Sequence, residues 1–91
     1  MDFEWDAAKS RRNAQDRGFG FDAAALIFEG PVIEWCDVRD TWGEPRVVAV
    51  GSVGGVVLAV VYTNRGDARR IISARRARKK ETELWQWCVN L

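Results

Sequence analysis

The stretch Val56-Val57-Leu58-Ala59-Val60-Val61-Tyr62-Thr63 limits how this chain folds more than any other. Eight uncharged residues rich in β-branched valine, bounded by turn residues, predict a strand buried on both faces or nearly so. Such a strand needs a neighbour on each side. Upstream, Arg46-Val47-Val48-Ala49-Val50-Gly51 reads as a second strand, joined to the first through the hairpin-compatible glycines of Ser52-Val53-Gly54-Gly55. Downstream, Asn64-Arg65-Gly66-Asp67 is a tight turn that delivers an antiparallel partner at 69–73. A fourth strand is expected at Val32-Ile33-Glu34-Trp35-Cys36-Asp37, set apart by the loop Asp40-Thr41-Trp42-Gly43-Glu44-Pro45 with its Gly and Pro breakers.

Helices flank this meander. Asp6 is an N-cap residue for the run 7–15, and Gly18 is its natural stop. Phe21, Ala24, Ala25 and Phe28 recur at i, i+3, i+4 and i+7, which predicts a short buried helix ended by Gly30-Pro31. At the other end, Ile71-Ile72 suits a strand, and a basic helix is expected to open at Ser73 or Ala74 and run through good helix formers. The expected fold is a two-layer α+β domain over residues 1–91, with two N-terminal helices, a four-stranded antiparallel meander and a C-terminal basic helix.

Charge is where composition becomes informative. The net charge of the 91 residues is +1, but residues 1–45 carry a net −5 and residues 46–91 a net +6. Seven of the fourteen Lys and Arg residues fall between 69 and 80. A chain polarised in this way suits an anionic partner on one face and a cationic one on the other. The acidic opening Met1-Asp2-Phe3-Glu4-Trp5-Asp6 lacks an apolar signal core, and no apolar run reaches the length of a membrane span, so a cytoplasmic protein is expected. Cys36 and Cys88, far apart and without any histidine in the chain, have neither a zinc spacing nor a disulfide framework, and no metal or cofactor is expected.

The two ends of the chain carry spaced motifs. Phe3-Glu4-Trp5-Asp6 with Lys9 and Asn13, then Gly18 and Phe21, then Arg65-Gly66-Asp67, Arg70-Ile71-Ile72-Ser73-Ala74-Arg75, Ala77 and Glu81 resemble, in that order, the motifs of the BrnT family. These are ribonuclease toxins of bacterial type II toxin–antitoxin pairs. The resemblance covers residues 3 to 85 and implies a RelE-like fold, cleavage of RNA, and a BrnA-like antitoxin that neutralises the toxin, forms a hetero-oligomer with it and binds operator DNA. Two departures stand out. Asp16-Arg17 occupies the place where the family usually has Lys-His, so any role of that histidine is lost, and the segment Trp85-Gln86-Trp87-Cys88-Val89-Asn90-Leu91 replaces a polar end near a tyrosine.

Metal-independent RNA cleavage needs a deprotonated 2′-OH in line with the phosphorus, charge neutralisation at the phosphate, and a proton for the leaving 5′-oxygen. Arginine serves only the second need, through a fork matched to phosphate oxygens. Arg65, Arg70 and Arg75 are the expected catalytic cations, and Glu81 is either the base or the partner of Arg78 in a helical ion pair. Lys9 or Lys79 is the remaining candidate acid. Lys9, Asn13, Tyr62, Arg76, Arg78 and Lys79 are expected to contact RNA, with a solvated helix face as the plainer alternative for the charged residues and core packing for Tyr62. Trp5 and Trp35 are read as core or rim packing ahead of base-stacking platforms. A non-enzymatic antitoxin partner and a plain nucleic-acid binder using the basic helix are the rival functions. Trp85, Trp87, Cys88 and Leu91 are expected to be buried, on the sheet or under a partner.

Overall fold

The structure is a computed structural model that describes residues 2–37 and 44–90. The chain runs β1 (Asp2–Trp5), α1 (Ala7–Arg17), α2 (Phe21–Ala24), a 3-10 segment (Ala25–Glu29), β2 (Ile33–Asp37), β3 (Arg46–Val53), β4 (Val56–Arg65), β5 (Ala68–Arg76) and α3 (Lys79–Val89). The strands form one five-stranded sheet in the order β1-β5-β4-β3-β2. The apolar run is the central strand, as its composition requires, and β2 to β5 are antiparallel neighbours.

Three expectations are corrected. The sheet has a fifth strand: β1 pairs in parallel with β5, Phe3 opposite Arg69 and Glu4 opposite Arg70. The segment 73–76 continues β5 instead of opening a helix, because its backbone pairs with 58–61 of β4, and these ladder bonds outweigh the weak helical preference of Ala and Arg. The closing helix therefore starts at Lys79, and of the seven basic residues between 69 and 80 it holds Lys79 and Lys80 alone. It also lies on the face of the sheet opposite α2, so the sheet is flanked on both sides where two layers were expected. The expected loop at 40–43 and the expected burial of Leu91 lie outside the described residues.

On one face, Leu58, Val60 and Tyr62 of β4 and Ile71 and Ala74 of β5 pack against Phe21, Ala24 and Ile27. Gly51 of β3 sits so close to this layer that a Cβ there would lie 2.8 Å from Val32 Cγ1 and 3.0 Å from Ile27 Cβ, a space that only glycine leaves open. Asp6 caps α1 by accepting hydrogen bonds from Ala8 N at 2.8 Å and Lys9 N at 3.1 Å, and those two backbone donors hold its carboxyl below the usual range. Gly18 ends α1 with φ +87°. On the opposite face, Val48, Val50 and Ala59 form a smaller cluster against Ile33, Val61, Ala77 and Trp85.

Candidate nucleic-acid interface

One irregularity in β5 builds the site. Tyr62 pairs with Ile71 and Val61 with Ser73, so β5 carries one extra residue, Ile72, at a β-bulge. In an unbroken strand, residues five apart point to opposite faces. The bulge cancels that difference: Arg70 stands opposite Thr63 and Arg75 opposite Ala59, positions that share a face of β4. Ala59 belongs to the smaller cluster, which identifies the face. Glu4 joins it opposite Arg70, and Trp35 and Asp37 join it opposite Val48 and Arg46. Among the described residues, this charged face is covered by α3 at one end only.

Each expected catalytic arginine is matched with a carboxylate there. Arg70 Nη1 lies 2.8 Å from Glu4 Oε2. Arg65 Nη2 lies 3.2 Å from Glu44 Oε1, and Thr63 Oγ1 donates to Glu44 Oε2 at 3.1 Å and to the Pro45 carbonyl at 2.8 Å. Arg75 forms the tightest pair, its two terminal nitrogens donating to Glu81 Oε1 at 2.7 Å and Oε2 at 2.9 Å. Glu81 Oε1 also accepts the Arg78 backbone N–H at 2.7 Å, which closes the first turn of α3. The carboxylate thus ties the end of β5 to the start of α3, with the Arg78 charge as a smaller attraction beside Arg75. Its pKa is pulled down to about 2, first by the Arg75 hydrogen bonds and against the opposing effect of burial. A carboxylate so acidic is a weak proton acceptor, and its chemistry here is to hold a guanidinium in place.

The remaining expected residues divide between this site and other parts of the molecule. Arg78 caps α3 and shares a cavity with Arg75, Lys79 begins the helix, and both are exposed, as is Arg76 at the end of β5. Tyr62 is buried on the other face, donating its hydroxyl to Glu34 and meeting the Phe28 ring edge-on at 5.6 Å. Arg69 lies over both rings, 4.7 Å from the Tyr62 centroid and 4.8 Å from that of Phe28. Burial, helped by the Glu34 contact, pushes the tyrosine up to about 12, so it stays neutral. Asn13 is buried as well, its amide donating to the Phe19 carbonyl at 2.8 Å. Lys9 lines a separate groove of about 260 Å³ between α1 and β5, together with Arg12, Arg17 and Ser73. Arg17, in the place of the family's histidine, donates to the Ala74 carbonyl at 2.7 Å on the length of β5 beyond β1.

Of the two places expected to bury the end of the chain, the sheet covers Trp85 in part and leaves Trp87 and Cys88 uncovered. Trp85 is half-buried, its indole N–H donating to the Pro31 carbonyl at 2.9 Å, but Cys88 is exposed, and Leu84 and Trp87 are 49% and 67% exposed. The partly buried positions of α3 are Glu81, Thr82, Trp85 and Val89, so that stripe faces the sheet, with Cys88 at its margin and Leu84 outside it.

Sequence reasoning missed one contributor and ranked another low. Glu4 was read as part of a motif and not as a partner of Arg70, although the alternation Asp2-Phe3-Glu4-Trp5 is the signal of a strand with its acids on one face. Trp35, ranked as core or rim packing ahead of base stacking, stands at the rim: it belongs to neither buried cluster, is 37% exposed and lines a cavity of about 300 Å³ with Arg75, Arg78 and Glu81.

The model of the family described as BrnT, the ribonuclease toxin of type II toxin–antitoxin systems, matches residues 5–81. That span takes in Arg65, Arg70, Arg75 and Glu81 and stops within the first turn of α3. No curated protein matches the chain.

Proposed function

The chain belongs to the BrnT family of type II toxin–antitoxin ribonuclease toxins, and from that premise we propose that it is a metal-independent endoribonuclease whose site is the charged face of the sheet. A toxin of such a system has an antitoxin protein as its partner. The observation that carries the reading is the bulge at Ile72, which brings Arg70 and Arg75 onto one accessible face beside Arg78. RNA lies across that face on a RelE-like framework, and its cleavage halts translation and growth. The 2′-OH attacks the adjacent phosphorus, the 5′-oxygen leaves, and a 2′,3′-cyclic phosphate remains. Arg70 and Arg75 neutralise the charge that develops on the non-bridging oxygens. Proton transfer falls to water, because Glu81 is too acidic and Tyr62 too basic and too deeply buried to serve near neutral pH. The rate then comes from positioning and charge stabilisation. A BrnA-like antitoxin neutralises the toxin by covering the face from Arg70 to Lys80, and operator DNA is contacted through the antitoxin.

One observation favours a second reading, in which this is a non-enzymatic member of the family that binds an antitoxin and tunes its operator binding. The chain has no histidine, and all three expected catalytic arginines are matched with carboxylates. Incubating the purified protein with RNA in excess EDTA separates the two. The enzyme gives 2′,3′-cyclic phosphate ends, and Arg70→Ala or Arg75→Ala lowers its rate at least tenfold, since loss of one charge-stabilising donor costs about a hundredfold and neighbouring cations compensate in part. Absence of cleavage by folded, antitoxin-competent wild type selects the second reading, and cleavage by both variants at the wild-type rate removes the arginines from the mechanism.

A further inference from the structure

Trp35 is an unusual residue to find on an edge strand. It sits on β2, the outermost strand on its side of the sheet, faces the charged side opposite Val48, and packs into neither buried cluster. Its ring and Val48 form the apolar wall of the cavity of about 300 Å³, and Arg75, Arg78 and Glu81 form the polar wall, with Asp37 beside them. That volume is at the lower end of small-ligand sites, which begin at about 300 Å³. An exposed indole wall facing fixed guanidinium charge matches two chemical properties of one nucleotide, the π-face of its base and its phosphate. The Arg75 fork is already held in place by two bonds to Glu81, so little side-chain freedom is lost when a phosphate approaches.

We propose that this cavity is a subsite for one unstacked RNA base, with Trp35 as its stacking platform and Arg75 and Arg78 on the adjoining phosphate. The inference rests on the ribonuclease reading and deepens it: the substrate is single-stranded RNA, because a base inside a duplex offers no free face to the indole. Stacking is tolerant of base identity, so the subsite confers strandedness and not sequence preference.

Fluorescence anisotropy with a labelled 2′-O-methyl octauridylate, which lacks the attacking 2′-OH and stays intact, tests this on wild type, Trp35→Ala and Trp35→Phe, alongside an oligomer with one abasic position and a G·C-rich duplex of the same length. Trp35→Ala is expected to weaken single-strand binding about tenfold and Trp35→Phe to restore most of it. The salt slope is expected to stay at the wild-type value, since no phosphate contact is removed. For the wild type, moving an abasic position along the oligomer should reproduce the loss at one place, and that change should add nothing to Trp35→Ala. The abasic series needs no variant to fold. Wild type that cleaves RNA while Trp35→Ala binds within twofold of it, or an abasic series without effect, overturns the subsite and leaves the ribonuclease reading standing. Equal loss on duplex and single strand overturns it too, and wild type that neither binds nor cleaves RNA overturns both.

Discussion

On the covered face, β4 and β5 present Leu58, Val60, Tyr62, Ile71 and Ala74 to α2 and the 3-10 segment, and all five are buried. On the charged face the same two strands present Thr63, Arg65, Arg70 and Arg75, and the carboxylates of Glu44, Glu4 and Glu81 come from three other segments of the chain. The first face removes apolar surface from water, which is the main source of stability. The second holds ion pairs at 2.7 to 3.2 Å, of which the more exposed ones of Arg65 and Arg70 add little to stability but keep cations in place at an open surface. A single sheet thus divides the work between its faces, one for folding and one for charge.

The comparison is broken most sharply from the covered face. Ile71→Ala empties a buried site and is expected to cost about 3 kcal/mol in urea unfolding, with the charged face still formed in the folded fraction. A cost below about 1 kcal/mol would mean that the covered face is not the main core.

The junction of β5 and α3 tests whether any pair on the charged face also serves folding. Glu81→Gln removes the bidentate partner of Arg75 and is expected to cost about 2 kcal/mol at neutral pH. The sign of the pH effect follows from its depressed pKa. The stability that Glu81 contributes is complete above its ordinary value of 4.5 and is lost as pH falls through about 2. Unfolding midpoints measured between those two pH values should therefore fall more steeply for wild type than for Glu81→Gln, and parallel curves would remove the pair from the stability of the fold.

The smallest effect is expected at Glu4, where both members of the pair are about a third exposed or more. Glu4→Gln should leave stability within about 1 kcal/mol. It should also tighten RNA binding two- to fivefold at low salt, with the gain fading as salt rises, because Arg70 then meets phosphate without a competing carboxylate. Unchanged affinity at low salt would place Arg70 outside the RNA path.

The sequence by itself determined the antiparallel part of the sheet. Apolar runs and turn glycines are local signals, and the run at 56–63 had to be central whatever surrounded it. The helix from Ala7 and the break at Gly18 were legible for the same reason, an N-cap and a left-handed stop being short-range chemistry. The candidate arginines were legible as residue types at motif positions, but their arrangement was not. Only the tertiary structure decided that β1 would close the sheet beside β5, that 73–76 would stay extended, that the extra residue at Ile72 would turn Arg70 and Arg75 to one side, and that α3 would show Leu84 and Trp87 to solvent. Each of these outcomes depends on partners distant in sequence: β4 supplies the ladder that holds 73–76 against helix formation, and Arg75 and Pro31 fix the rotation of α3 through Glu81 and Trp85. Propensity is a sum over neighbours in the chain, whereas a ladder bond or an ion pair forms only once the fold has brought its two ends together.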